Sequence, residues 1–215
     1  MECVDGYRSR QANPPRVTTT LIERALLILG VTLIGSYAAT RAYADVAARR
    51  GLEDFARERD SLPDQSRWSE GRIRAYALIS TAPTKSIPLA VLHIQSIGLT
   101  VPVYADTSDG NLNRGAGLIA GTADPETSGN TGIAAHRDSF FRALQDIALG
   151  DRIEIEHFSG TRAYRVSALY IVNPDDMRPL QRTQHSMLTL VTCYPFYYVG
   201  SAPQRYIVRA VEIAP

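Results

Sequence analysis

Apolar and polar positions fall into three successive patterns along the chain. Residues 25–40 (ALLILGVTLIGSYAAT) carry no charge, and Leu21 and Ile22 extend the apolar stretch beyond Glu23 and Arg24. A bilayer-spanning helix needs about 20 mostly apolar residues. This segment therefore reads as a membrane span only if it recruits flanking Thr, Ala and Tyr and lets Arg24 and Arg41 snorkel. A cleaved signal peptide is the rival reading, because Ala39, Ala42 and Ala44 supply small residues, but the Glu23-Arg24 interruption and the long preceding tail disfavour it. Arg8, Arg10, Arg16 and Arg24 precede the segment and Arg41, Arg49 and Arg50 follow it, a balance that only slightly favours a cytoplasmic N-terminus.

The second pattern, from Asp45 to about Ile79, is rich in Arg, Glu and Ala and breaks at Pro63. It predicts two helices forming a stalk. The first looks solvated, whereas the second, beginning near Ser66, gathers Trp68, Ile73, Tyr76, Ala77 and Ile79 into an apolar side that can dock on a domain. Residues 81–88 (TAPTKSIP) hold two prolines and read as a linker.

Beyond Pro88 the pattern turns to short β-rich runs separated by Gly, Pro, Asn and Asp. Strands are predicted near 89–94, 99–104, 117–120, 132–135, 152–157, 163–172, 188–193 and 205–213, with a helical insert around 139–147. Eight short strands with one such insert favour a closed barrel over an open doubly wound sheet.

Composition narrows the class. A chain of 215 residues accommodates one folded domain and a modest extension. With 23 Lys+Arg against 22 Asp+Glu there is no field to gather a polyanion, so nucleic acid is not an expected partner. The two cysteines, Cys3 and Cys193, fit neither a zinc knuckle nor a disulfide scaffold, which leaves Cys193 as a free thiol.

Cys193 ends the β-branched run LTLVTC and is followed at once by Tyr194-Pro195. A strand end holds a thiol rigidly and opens it to a loop, although a buried core cysteine fits the strand context equally well. Among four histidines, His136 also stands at a strand end, in GIAAHRDSFF. His93 lies inside a strand, His157 closes a charged strand and His185 sits in a polar loop. A thiol acting as a nucleophile needs a neighbour that takes its proton and returns one to a leaving amine. Arg205 opens the last strand, RYIVRAVEI, where a guanidinium can stabilise charge on a reacting carbonyl. For any one arginine the commoner role is a loose surface ion pair. Arg209, deeper in the strand, is expected to pair with Glu212 or another acidic neighbour.

Residues 189–193 (TLVTC) match Thr-Leu-x-Thr-Cys, the signature of the sortases. Ala135-His136-Arg137-Asp138 followed by Phe140-Phe141 looks like the histidine motif of that family, and Arg205 occupies its arginine position. The resemblance covers nearly all of residues 89–213, and the run CYPFYYVGSAPQRYIVRA most resembles class D and related sortases, including those of Gram-negative bacteria.

The resemblance implies a mainly β fold, a closed eight-stranded sortase-type barrel with short helices. It implies Cys193 as nucleophile, His136 as acid/base and Arg205 as stabiliser of the oxyanion. Thr192 is added as a substrate contact through its backbone or hydroxyl, with packing as the equal alternative. The implied reaction attacks a Thr carbonyl in a motif resembling Leu-Pro-x-Thr-Gly, forms a thioacyl enzyme and passes the acyl chain to an amine. The partners implied are secreted proteins carrying a C-terminal sorting motif, an amine of peptidoglycan or protein, and the membrane. No cofactor is needed. Some sortases use calcium, but the loops show no matching acidic cluster, so no metal is expected.

The implied organisation is a cytoplasmic tail over 1–24, a transmembrane anchor over 25–44, a helical stalk and linker over 45–87 and an extracytoplasmic catalytic domain over 88–215. The chain would then be a single-pass protein of the cytoplasmic membrane, with Cys3 on the other side of the bilayer from Cys193. An L,D-transpeptidase is the rival enzyme, but it places His and Gly close before its Cys, whereas His136 lies far upstream of Cys193. A cysteine peptidase that hydrolyses the same motif is a second rival, and outside enzymes a tethered barrel that binds a peptide without turnover is a third.

Overall fold

The computed structural model describes residues 16–61, 87–197 and 201–213. The predicted second stalk helix with Trp68, most of the linker, and Cys3 lie outside the described residues. The chain divides into two units, Met1–Tyr43 and Ala44–Pro215. A 46-residue helix, α1, covers Arg16–Ser61 and so starts ahead of the position expected for the anchor.

In the first unit the apolar side chains of α1 are open to their surroundings: Leu26, Leu27, Ile28, Val31 and Ile34 are all more than half exposed. The hydroxyls of Thr32, Ser36 and Thr40 return to carbonyls of their own helix, at Ile28, Leu33 and Tyr37. Few polar groups there ask for water, and the stretch from Leu21 is long and apolar enough to cross a membrane.

The second unit is a closed barrel with strand order β1-β2-β3-β4-β7-β8-β6-β5. Its strands are β1 Ala90–Ile94, β2 Leu99–Tyr104, β3 Ala116–Leu118, β4 Asn130–Ala134, β5 Arg152–His157, β6 Gly160–Val172, β7 Met187–Tyr194 and β8 Gln204–Ile213. All eight fall within a few residues of their predicted positions. The pairs β2/β3 and β4/β7 are parallel and the rest antiparallel. Alternate residues, such as Leu92, Val101, Ile133, Leu188, Leu190 and Val208, point inward and form the core. The predicted insert is a 3-10 helix, Phe140–Asp146, whose Phe141 and Leu144 are fully buried in that core.

The first stalk helix differs from expectation. Within the second unit, residues 44–61 of α1 are not solvated all round, since Ala48 and Phe55 are buried. Phe55 stacks on Phe158 with ring centroids 4.8 Å apart. Gly51 brings the helix so close to β2 that an added Cβ would collide with the phenol oxygen of Tyr104. Arg59 pairs with Glu156, whose other oxygen meets His93 Nε2 at 3.2 Å. Burial lowers the His93 pKa and outweighs the opposing pull of Glu154. The docking stripe at 48, 51 and 55 has helical spacing, but two of its three members are Ala and Gly, too small to register as an apolar face.

Arg162 on β6 ties three segments together. It donates to both carboxylate oxygens of Glu212 at 2.7 and 3.0 Å, to Ser186 Oγ at 2.7 Å, and to the backbone carbonyls of Pro125 and Thr127. Glu212 is thereby committed to Arg162, which overturns its expected pairing with Arg209. The Arg162 hydrogen bond is the main reason the Glu212 carboxyl titrates below its ordinary value.

Two outcomes are expected. In a chain beginning at Ala44, Phe55→Ala should lose about 3 kcal/mol, the low end for truncating a buried Phe, and a chain beginning at Arg67 should melt at a lower temperature than one beginning at Ala44. A depressed carboxylate pKa contributes stability above its unfolded value and loses it as pH falls through the folded one. The difference in urea midpoint between the parent and Arg162→Met should therefore narrow from about pH 6 to about pH 3.

Candidate active site

β4 and β7 pair in register from Asn130↔Met187 to Ala134↔Val191. The pairing runs on past the last of these partners, because Ala135 N donates to Val191 O at 3.4 Å and Thr192 Oγ1 donates to Ala135 O at 2.8 Å. One further residue sets His136 level with Cys193. On the other side of β7, Cys193 is directly opposite Arg205 of β8. The three residues that the sequence singled out thus form one row across three adjacent strands. Neighbouring strands lie about 5 Å apart, so adjacent side chains in the row are within reach of one another. Since Leu188, Leu190 and Val208 point into the core, the alternate positions 193 and 205, with 136 level beside them, belong to the outer face. All three are half-buried, and Cys193 is a free thiol.

Local sequence explains why the row is held. Beyond β4 the carbonyl of His136 accepts from Phe141 N at 3.1 Å and from Ser139 N at 3.5 Å, which turns the chain into the 3-10 helix. Because Phe141 is a core residue, the backbone at His136 is fixed from inside the barrel. After Cys193 the chain leaves β7 through a cis Tyr194-Pro195 peptide. Tyr194, Phe196 and Tyr206 cluster there, with centroids 5.3 to 6.2 Å apart. Burial, and secondarily Tyr194, raises the Tyr206 phenol pKa. Arg142 lies 4.0 Å over the Tyr197 ring and joins the segment after Cys193 to the helix after His136. Arg205 Nη1 donates to the carbonyls of Ala202 and Gln204 at 3.2 and 3.0 Å, which fixes the fork at the mouth of the loop.

Thr192 is 3 % exposed and its hydroxyl is used by Ala135 O, so that side chain packs inward and bridges the strands that carry His136 and Cys193. The other histidines stand elsewhere. His93 meets Thr100 and Glu156, His157 is buried with Nδ1 facing Ser159 and Glu126, and His185 is exposed. Arg209 Nη2 donates to Met187 Sδ at 3.4 Å, and four residues along the strand put it about 13 Å from Arg205. Among the described residues no group of three or more His, Cys, Asp or Glu is placed to hold a metal ion.

Sequence reasoning missed Asn130 and Thr189, a buried polar pair at the far end of the same strand pair, and the contact between Arg142 and Tyr197. A polar residue opening an apolar strand is a signal for Asn130. Nothing local in the sequence links residues 142 and 197. Chemically, the row sets a thiol between an imidazole that can exchange its proton and a guanidinium that can stabilise an oxyanion.

A family model described as the sortase domain matches residues 92–213. The chain is 32 % identical to Sortase D of Bacillus subtilis (strain 168) over 125 residues, which cover 57 % of this chain and 63 % of that protein. The match therefore spans less than two thirds of that relative. Among solved structures, Sortase C1 of GBS Pilus Island 1 matches at a TM-score of 0.65 and 25 % identity, covering 78 % of this chain and 93 % of that one. A Clostridium perfringens Sortase D5 transpeptidase shares the fold at a TM-score of 0.64 and 23 % identity, covering 79 % and 99 %.

The placement of Thr192 makes a prediction that separates packing from substrate contact. Thr192→Val leaves a buried carbonyl without its donor and should cost about 1 to 2 kcal/mol in urea denaturation, with Thr192→Ser retaining most of that stability. A raised KM at unchanged stability would instead assign the hydroxyl to the substrate.

Proposed function

The chain belongs to the sortase family, near class D, and from that premise we propose that it is a cysteine transpeptidase acting on a peptide motif resembling Leu-Pro-x-Thr-Gly. The observation that supports this best is the row of His136, Cys193 and Arg205 on one outer face of β4, β7 and β8. The Cys193 thiolate adds to the Thr carbonyl, and the charge that develops on the carbonyl oxygen is met by the Arg205 guanidinium. Collapse of this adduct breaks the Thr-Gly bond. His136 gives its proton to the departing amine, and a thioacyl enzyme remains. An incoming amine then attacks the thioester, His136 takes the proton that it sheds, and the Cys193 thiolate leaves. Water in place of the amine would give hydrolysis from the same intermediate.

The apolar part of α1 supports a membrane anchor, proposed for residues 25–44, with a tail over 1–24 on the cytoplasmic side. Residues 45–87 are proposed as stalk and linker, and 88–215 as the catalytic domain facing away from the cytoplasm. The start of that stalk carries Ala48 and Phe55, so it serves as part of the folded body as well as a spacer. The substrates proposed are secreted proteins with a C-terminal sorting motif. The acceptor is an amine of peptidoglycan or of another protein.

Steady-state kinetics on purified variants test the assignment. Cys193→Ala should abolish both transfer and hydrolysis, and His136→Ala should lose about two to four orders of magnitude. Arg205→Ala should lose about two to three orders of magnitude, and Arg205→Lys nearly as much, since a point charge does not reproduce a planar fork. Arg209→Ala should stay close to the parent. Turnover retained in Cys193→Ala, or an Arg209 variant as impaired as the Arg205 ones with folding intact, would contradict the reading.

A further inference from the structure

The barrel has one short seam. β3 meets β2 at Val103↔Ala116 and Tyr104↔Gly117, and it meets β4 at Gly117↔Ala134 and Leu118↔Ile133. Every other pair of neighbouring strands is registered over at least four positions. Few ladder hydrogen bonds cross this seam, so packing on its two faces has to keep it shut.

On the inner face the closure is the 3-10 helix Phe140–Asp146, which packs against β2 with Phe141 and Leu144 fully buried. This helix is tied to the catalytic row, since Phe141 N donates to the His136 carbonyl at 3.1 Å. On the outer face the closure is the docked part of α1. Pro102 and Tyr104 point outward from β2, opposite to the core residues Val101 and Val103, yet both are buried, with Tyr104 only 1 % exposed. Gly51 covers the phenol oxygen from the helix side. From the other side, a Cβ on Gly115 would stand 2.8 Å from Tyr104 Cε2, and the Arg114 guanidinium lies 4.0 Å over the ring. Burial raises the phenol pKa against the pull of Arg114. Residues 114 and 115 lead directly into β3, so the Tyr104 ring is wedged between α1 and the strand that closes the seam.

We infer that Tyr104, locked by Gly51, is a positioning residue for His136: the docked helix holds the β2–β3–β4 seam shut, and the closed seam holds the 3-10 helix that fixes the His136 backbone. The inference rests on the acyl-transfer reading of the row, and it gives Tyr104 no part in bond making. Loosening the seam shifts the imidazole but leaves Cys193 on β7 and Arg205 on β8 paired as before. Misplacing a reacting group by about 1 Å costs up to about a hundredfold in rate, so the loss belongs in kcat rather than in KM.

The test uses the full chain in detergent micelles and compares Gly51→Ala, Tyr104→Phe and the double variant. Ala is the better helix former, so a helix with no role in the barrel would gain from Gly51→Ala. Here the new methyl collides with the phenol oxygen of a ring that has no room to retreat. Hydrogen exchange at 116–118 and 140–144 should therefore rise about tenfold, and kcat for a motif peptide should fall about tenfold with KM within about twofold. Tyr104→Phe removes that oxygen, and the next atom facing the methyl is Pro102 Cγ at 3.4 Å, an ordinary contact. The double variant should accordingly recover exchange and kcat to within about twofold of Tyr104→Phe alone. In a His136→Ala background, Gly51→Ala should change the residual rate by less than about twofold. Unchanged or slower exchange in Gly51→Ala overturns the inference. So does a loss that the double variant fails to restore, a loss carried by KM, or an equal loss in the His136→Ala background. If Gly51→Ala does not fold, Tyr104→Leu, which removes the ring without crowding the helix, should give the same rise in exchange and the same loss in kcat. A parent that turns over no motif peptide would sink the transpeptidase reading, while exchange over 116–118 and 140–144 would still decide whether α1 holds the seam.

Discussion

The parallel pairing of β4 with β7 is the constraint on which the site depends. A parallel pair starts and ends both strands at the same ends of the sheet. Residues far apart in sequence, His136 and Cys193, therefore emerge side by side without either chain having to double back. The register is closed just below them by the Thr192 hydroxyl on Ala135 O, so a one-residue slip would break a buried hydrogen bond and turn Cys193 into the core. Antiparallel β8 then brings Arg205 to the third place in the row.

The same pairing sets what flanks the row on that face. Small residues line β4 at Gly132 and Ala134, and the 178–181 turn is drawn down over its far end by Asn130 and Thr189. At the near end the aromatic cluster of Tyr194, Phe196 and Tyr206 stiffens the exit from β7. The helix contacts of Phe55, Arg59 and Gly51 fall on β2, β5 and the turn after β5, on strands away from β4, β7 and β8. The barrel thus uses one arc for the docked helix and another for the chemistry.

Much of this was legible in the sequence. The eight β runs, the insert after His136 and the strand-end settings of Cys193 and Arg205 follow from alternation, Gly/Pro punctuation and β-branched content, because those signals are local. The row itself came from motif resemblance, since no local rule states which strands become neighbours. Two readings erred for physical reasons. The docking face on residues 44–61 is built from Ala48, Gly51 and Phe55, so close approach rather than apolar bulk makes the contact. Arg209 was expected to pair with Glu212 or another acidic neighbour, a reading that looked first to residues near in sequence, whereas Arg162 on β6 reaches Glu212 across the β6/β8 ladder. The buried Asn130–Thr189 pair was invisible for the same reason, as the two carbonyls that Asn130 meets lie in a loop roughly 50 residues away from it.

The central claim is that Cys193 carries the acyl chain. Incubating the chain beginning at Ala44 with a motif peptide in the absence of any acceptor amine, quenching in acid and mapping the adduct by peptide mass spectrometry addresses it directly. The account predicts one acyl group ending in Thr, bound to Cys193 and released by hydroxylamine as a thioester requires. No adduct on Cys193 while the peptide is still cleaved at the Thr-Gly bond, or an adduct on another residue, would contradict it.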